Sequence, residues 1–487
     1  MYRWFNFTIA KGEKMDKVKS IGIMTGNSLD AVDVVLSEID IKTNEVKQLC
    51  EISYYFPAEI SDGIRKIRLL LKKNSYNIEK LTADPDCNLS QVHNAYMRHI
   101  IETVNALIDK AVAGNIVKKE DIDVIGFHGQ TLGHFPPSIS DGKDSYTVQL
   151  GDGQVLADAL KIPVVYDFRS DDILNGGEGA PLAPMYDCHL VKQKPELGSV
   201  AFCNAGNTGN ITIISKNVKT GKTEVLGWDT GPFNHFPDYL MRTEQDNEPY
   251  DIDGVLGKKG SLDTKLLTSM FAESAVTRSG ENFLLAKPPK SSDPSWYKVV
   301  KELEPKYGIP FVDRLRTAEY YSAYTFAYTL VMIPENIEVP STYILCGGGW
   351  KNPIISEDFH NLLTGRGVYL PQHLPAIKKL SKRWPKTNLQ VVPADKFGLS
   401  SKFMEANVFA DMAVCRLTGT PYTVPATTGV EKPTVCGVIR YPSENTPATE
   451  RVKAIVKKYK SEKLTRDEGF VDPQLNRAVK GWKKRFK

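Results

Sequence analysis

Ser20-Ile-Gly-Ile-Met24, Thr25-Gly26-Asn27-Ser28 and Val32-Asp33-Val34-Val35-Leu36 form an apolar run, a tip of turn-forming residues and a second apolar run. That order predicts a β-hairpin, because Gly, Asn and Ser close tight turns while the β-branched flanks favour extended backbone. The same order returns much later as Ser199-Val-Ala-Phe202, Asn204-Ala-Gly206-Asn207-Thr208-Gly209-Asn210 and Ile211-Thr-Ile-Ile214. Two similar hairpins in one chain predict two similar domain cores.

The segments between them alternate in period. Val92, Tyr96, Ile100, Val104 and Leu107 give 89–111 a helical stripe, 122–126 reads as a buried strand ending at Phe127-His128-Gly129-Gln130-Thr131, 151–160 as a helix, and 163–166 as a strand ending at Asp167-Phe168-Arg169. Further on, 320–331 reads as a mostly buried helix, 342–345 as a strand running into Cys346-Gly347-Gly348-Gly349, and 403–417 as an amphipathic helix with Glu405 near its start. A last helix is expected at 473–485. Strands alternating with helices predict an α/β fold.

A chain of 487 residues exceeds one ordinary core, and 41% apolar with 25% charged residues is globular composition, so two domains with extensions are expected. The longest apolar stretch, 320–333, is interrupted by Ser322, Thr325 and Thr329 and is too short for a bilayer span. Residues 1–19 lack the features of a secretory signal and read as a loose leader. Seven cysteines are scattered without Cys-x-x-Cys or metal-like pairing, which fits reduced thiols in a cytoplasm. Residues 446–487 hold 13 Lys/Arg against 5 Asp/Glu, while the rest of the chain is slightly acidic. A basic tail sets the net charge of +4, so neither nucleic acid nor a membrane is an expected partner.

Carboxylates and glycines stand at the expected strand ends. Gly227-Trp228-Asp229-Thr230-Gly231-Pro232 follows Val225-Leu226, so a strand is expected to end on Asp229, either as a catalytic carboxylate or as the cap of a turn or of a helix at 234–241. Thr25-Gly26-Asn27-Ser28 offers clustered N–H groups and hydroxyls for an anionic oxygen, although hairpin tips use the same residues for conformation alone. Gly347-Gly348-Gly349 would let a base or ribose pass the backbone, or serve a close element crossing. His128 reads equally as a loop anchor or a site residue. Arg169, Asp172 and Gly176-Gly177-Glu178-Gly179 combine charge and flexibility, as in a ligand-facing loop or a solvated ion-paired one. No Gly-x-x-x-x-Gly-Lys-Ser/Thr is present, which excludes a P-loop.

Taken together these features resemble the superfamily of acetate and sugar kinases, heat-shock cognate protein and actin. Within it, the stretch 21–33, His128-Gly-Gln-Thr131, Asp167-Phe-Arg169, Gly177-Glu-Gly-Ala-Pro-Leu182, Gly227 to Pro232, Pro288-Pro-Lys-Ser291, Cys346-Gly-Gly-Gly349 and Met404-Glu405 resemble the anhydro-N-acetylmuramic acid kinase family, in family order. The resemblance implies a two-domain actin-like fold with a cleft between duplicated hairpin-led cores. It also implies an enzyme using ATP and Mg²⁺ to open a 1,6-anhydro sugar with water while phosphorylating O6, as a cytoplasmic homodimer. Asp229 would be the general base and Glu405 a second carboxylate. Gly26, Asn27, Ser28, Leu29, Asp30, Ala31, Val32, Asp33, Asn207, Gly347, Gly348 and Gly349 would meet ATP. His128, Gln130, Arg169, Asp172, Gly231 and Asn234 would meet the sugar, and no residue is assigned as a metal ligand.

Domain boundaries are expected at 20–165, joined by about 425–445, and at 166–424, with 446–487 as a basic extension dispensable for catalysis. The chain departs from the family pattern at Thr25, Asn27, Ala31, Glu178, Asn207, Phe233 and 292–295. Phe233, beside the base, is expected to narrow or reshape the sugar pocket. These departures leave open a kinase for another anhydro sugar such as levoglucosan, or a nucleotide or sugar sensor.

Overall fold

The computed structural model describes residues 16–462 apart from 76, 138–144, 278, 293 and 385–388. The helix expected at 473–485 lies outside the described residues, as does most of the leader. β1 (Lys17–Thr25), β2 (Ala31–Asp40) and β3 (Val46–Tyr55) form an antiparallel meander, followed by helices α1 (Ala58–Lys73) and α2 (Leu89–Ala113). Then come β4 (Val124–Phe127), a separate β5–β6 hairpin (Gln130–Phe135, Tyr146–Leu150), α3 (Gly153–Leu160), β7 (Val164–Tyr166) and α4 (Phe168–Leu174). The second half begins with α5 (Pro184–Gln193) and a second meander, β8 (Val200–Ala205), β9 (Thr208–Lys216) and β10 (Thr223–Pro232). It continues through α6 (His235–Glu244), α7 (Phe311–Thr329), β11 (Thr342–Cys346), α8 (Pro353–Leu363) and β12 (Gln390–Pro393). The chain returns through α9 (Met404–Thr418), β13 (Val438–Arg440) and α10 (Pro447–Tyr459).

The duplication expected from the hairpins is present. One sheet runs β13-β7-β4-β1-β2-β3 and the other β10-β9-β8-β11-β12, so each meander is extended by two parallel strands in the same order. Both sheets are covered on two faces, which is why β1 is buried along nearly its whole length instead of alternating. Ile21 and Ile23 pack under α1 and α2, whereas Val18, Val35, Val124, Phe202 and Ile344 face a middle layer that the two sheets share.

Two helices build that layer. α5 packs on β9 and β10, and α9 lies across β1, β2 and β4. The path of α9 depends on Gly22 and Gly126, which are paired in adjacent strands: a methyl group on either would overlap the carbonyl of Ala406 or of Phe409. Helix α9, read from the sequence with 166–424, therefore rests on the 20–165 sheet, and this sets Glu405 at the junction of the two halves. His189 of α5 and Asp411 of α9 bond at 2.7 Å with both side chains at or below 1% exposure, joining the two helices in the layer.

The first part of the basic C-terminal extension is a packed helix. Thr446 caps α10 by accepting from the Thr449 N–H, and Val452, Ile455 and Val456 are buried in the shared layer. Arg451 donates to Asp123 at 2.5 Å, and Arg416 of α9 donates to the carbonyl of Ser461. Residues 447–459 of the basic extension are thus part of the packed fold. None of the helices among the described residues is long and apolar enough to cross a membrane.

Candidate active site

Asp229 is held where β10 breaks register. The strand continues to Pro232 instead of ending on the carboxylate, with a bulge between Asp229 and Gly231, whose φ of 119° is one that L side chains rarely adopt. The bulge turns Asp229 toward the segment 288–292. Its backbone N–H donates to the Lys290 carbonyl at 3.0 Å, and its Oδ2 accepts from the Ser292 N–H at 2.8 Å, Ser292 Oγ at 3.2 Å and Ser291 Oγ at 3.3 Å. Burial pushes the carboxyl up to about 6, opposed by these bonds and by the charge of Arg169. Lys290 is buried beside it, donating to the Phe283 carbonyl at 3.0 Å, and burial pulls its ammonium down to about 7. Lys290, Ser291 and Ser292 were not expected as site residues; Pro288-Pro-Lys-Ser291 was the visible signal, without any indication of which side chains turn inward.

Arg169 links the carboxylates. It lies on helix α4, not on a flexible loop, because Asp167 takes the left-handed conformation and turns the chain straight from β7 into the helix. Its Nε donates to His128 Nε2 at 2.9 Å and its Nη1 to the Gly179 carbonyl at 2.7 Å. His128 Nε2 is therefore an acceptor, so the imidazole is neutral with its proton on Nδ1. Burial and the neighbouring guanidinium both hold His128 well below its ordinary range. Asp229, Glu405 and Asp172 all interact electrostatically with Arg169.

Asp172 does not face open space. Its Oδ2 accepts from the Gly179 N–H at 2.7 Å and its Oδ1 from Thr428 Oγ1 at 2.6 Å, so it latches the Glu178 loop to the short helical turn Pro425–Thr428. A side chain at Gly177 would collide with it. Gln130 is fully buried and donates to the Gly26 carbonyl at 3.2 Å, which ties the β5 strand to the first hairpin tip.

At that tip Asn27, Ser28 and Asp30 are exposed, Ser28 bonding Asp30 at 2.5 Å, while Leu29 turns inward at φ 61° and anchors the loop in the core with Ala31 and Val32. Arg68 of α1, absent from the sequence expectations, braces the tip by donating to the Asn27 carbonyl and side chain and to the Thr131 carbonyl. Asp33 follows on β2, with its Oδ1 buried and without a hydrogen-bond partner among the described residues and Lys402 at 4.0 Å. Glu405 accepts from Asn204 at 3.1 Å; burial raises it, Asn204 and Arg169 pull it back, and Asp33 and Asp30 add to the rise. Asp30 also raises Asp238 of α6, after burial, which puts the first tip opposite the second half of the molecule. Asp33, whose buried Oδ1 has only the Lys402 ammonium at 4.0 Å among the described residues, and the exposed Asp30 offer carboxylate oxygens of the kind a hard divalent cation takes.

On the facing side, the second tip is closed by Phe233 and Asn234 N–H groups donating to the carbonyls of Asn207 and Gly206, and Asn207 Oδ1 meets His235 Nδ1 at 3.2 Å. The triple glycine divides by role. Gly347, at φ 87°, has the Ala205 carbonyl 2.6 Å from where a Cβ would sit, and Gly349 would meet Asn234 and Phe233, so packing accounts for both. Gly348 alone faces open space. Phe233 is 0% exposed, with Phe326 and Trp350 rings at 5.4 and 4.7 Å, and its carbonyl accepts from Ser322. Its side chain lies in the core of the second half, so any effect of Phe233 on a pocket comes through packing and not by lining it.

Two α/β halves with matching strand orders meet at a buried carboxylate and an arginine whose charge acts on it and on a second carboxylate. The sequence model of the family described as anhydro-N-acetylmuramic acid kinase matches residues 18–442, and the chain belongs to that family. Proteins named anhydro-N-acetylmuramic acid kinase are 32% identical over 435 residues in Methylorubrum populi, covering 88% of this chain and 100% of the relative, and 32% identical over 429 residues in Bradyrhizobium diazoefficiens, covering 87% and 99%. Among solved structures, a ROK family glucokinase from Streptomyces griseus in complex with glucose and AMPPNP has a TM-score of 0.31 at 14% identity, over 81% of this chain and 99% of the other.

Proposed function

We propose that this chain is an ATP-dependent kinase of a 1,6-anhydro sugar of the N-acetylmuramic acid type. The observation that carries the reading is Asp229: buried, raised to about 6, held at a bulge against Ser291 and Ser292, and under the charge of Arg169, which also acts on Glu405. An ionised carboxylate of that kind is a suited base at neutral pH. In the proposed reaction Asp229 takes a proton from water as the water oxygen bonds C1 and the C1–O6 bond breaks. O6 accepts the γ-phosphoryl group of ATP, leaving ADP and a 6-phosphosugar with a hydroxyl at C1. Phosphoryl transfer demands mainly positioning and charge neutralisation, so the protein's share is the orientation of water and sugar by Asp229, Glu405, Arg169 and His128.

Mg²⁺ would be held with the nucleotide by Asp33 and Asp30, where it would neutralise phosphate charge. Gly348 supplies the open stretch of backbone for the adenosine. A cytoplasmic location and a homodimer are carried by the family resemblance, and the homodimer is checked by light scattering. The direct test offers ATP, Mg²⁺ and a panel of anhydro sugars, levoglucosan included, in ¹⁸O-labelled water. The expected product gains one phosphate and one labelled oxygen at C1; phosphorylation without the label, or ATP use with none of the panel, overturns the reading.

A further inference from the structure

A string of three hydroxyls runs from the base to the tip of the second hairpin. Ser292 Oγ lies 3.2 Å from Asp229 Oδ2, Tyr297 OH lies 2.6 Å from Ser292 Oγ, and Thr208 Oγ1 lies 2.9 Å from Tyr297 OH. Each hydroxyl carries one proton, and an ionised carboxylate only accepts. The string therefore has one direction when Asp229 is ionised: Thr208 donates to Tyr297, Tyr297 to Ser292, and Ser292 to Asp229. Bonds in series polarise one another, so the last one gains from those behind it.

We propose that Tyr297 is a positioning residue: through Ser292 it orients Asp229 and favours its ionised form, and through Thr208 it ties that orientation to the second hairpin tip. The inference rests on the kinase reading, since it assigns Asp229 the role of base. Packing does not explain the hydroxyl. Tyr297 is 7% exposed within the core of the second half, its ring 5.1 Å from His235, where a phenylalanine would fill the same space without a polar atom to satisfy. Thr208 begins β9 directly after Asn207, so the string ends on the loop expected to meet the nucleotide. The charged groups facing Asp229 are Arg169 from α4 and Lys290 from its own flank, with Glu405 of α9 and Asp172 of α4 acting on it through Arg169.

The test is Tyr297→Phe, with Tyr320→Phe as control, because Tyr320 also buries a hydroxyl, which donates to the Val368 carbonyl at 2.9 Å, outside the string. For Tyr297→Phe, kcat is expected to fall about tenfold and the acid limb of kcat to move up by about half a pH unit, the scale of one lost hydrogen bond. Thr208→Val should shift the limb in the same direction by less, and it carries the test should Tyr297→Phe not fold. The control should leave the limb in place. Limbs that superimpose on wild type in both string variants overturn the proposal. Should the wild type prove inactive on every sugar, the kinase reading fails separately. The proposal is then decided by ¹³C-carboxyl titration of Asp229, assigned with Asp229→Asn, in wild type and Tyr297→Phe: an upward shift supports it and an unchanged midpoint refutes it.

Discussion

Replacing Asp229 by Asn separates the base from a structural carboxylate by two measurements that move in opposite directions. Asn keeps the size, and its carbonyl oxygen can still accept from the Ser292 N–H that now reaches Asp229 Oδ2 at 2.8 Å, but it cannot take a proton from water. Turnover is therefore expected to fall about 10² to 10⁴-fold. Stability follows the opposite sign. The folded protein raises this carboxyl from its ordinary 3.8 to about 6, so folding favours the protonated form and the group subtracts stability as pH rises through that window. At ~1.4 kcal/mol per pH unit the penalty reaches about 3 kcal/mol at neutral pH, and a side chain only 7% exposed gives little reason to discount it for solvent. Asp229→Asn should then melt at or above wild type at pH 7.5 and lose that advantage near pH 4. The assay is kcat, nucleotide affinity and melting temperature at both pH values, with Asp253→Asn as control, since Asp253 sits at φ 54° in a turn where Asn fits equally well. Early melting with normal turnover, or a melting difference that ignores pH, would refute the reasoning.

Other measurements address separate parts of the site. Turnover of the wild type should fall as pH drops through about 6, where Asp229 gains its proton, and Arg169→Lys, which loses the planar fork shared by His128 and Gly179, should cost about tenfold or more and move that limb upward; an unmoved limb would disconnect Arg169 from the base. Gly348→Ala should leave melting unchanged while weakening ATP binding, whereas Gly347→Ala should cost about 1–3 kcal/mol of stability through its φ of 87°; equal melting of the two variants would contradict the division of roles. A chain ending at Tyr441 loses three buried aliphatic side chains of α10, at about 1.5 kcal/mol or more each, and should unfold at lower denaturant, while a chain ending at Glu462 should keep its turnover; urea midpoints and kcat of both truncations decide this.

The duplicated hairpins and the strand ends before His128, Asp167 and Gly347 were legible in the amino-acid order, because apolar period and turn chemistry act between near neighbours. Asp229 could be singled out for the same reason, standing in a run of turn-forming residues after a strand, whereas Glu405 was singled out by the family resemblance alone. What the order could not disclose is where chains of contact cross between distant segments. The bulge after Asp229 and the helix under Arg169 each depend on a backbone angle at one residue, Gly231 and Asp167, and a propensity leaves such an angle open. The seat of α9 on Gly22 and Gly126, the docking of α10, and the bonds of Ser292 and Tyr297 join residues that meet only once both halves have packed. The proton affinity of Asp229 is the furthest from the sequence, since burial by one half and the charge of Arg169 from the other act on it only in the assembled fold.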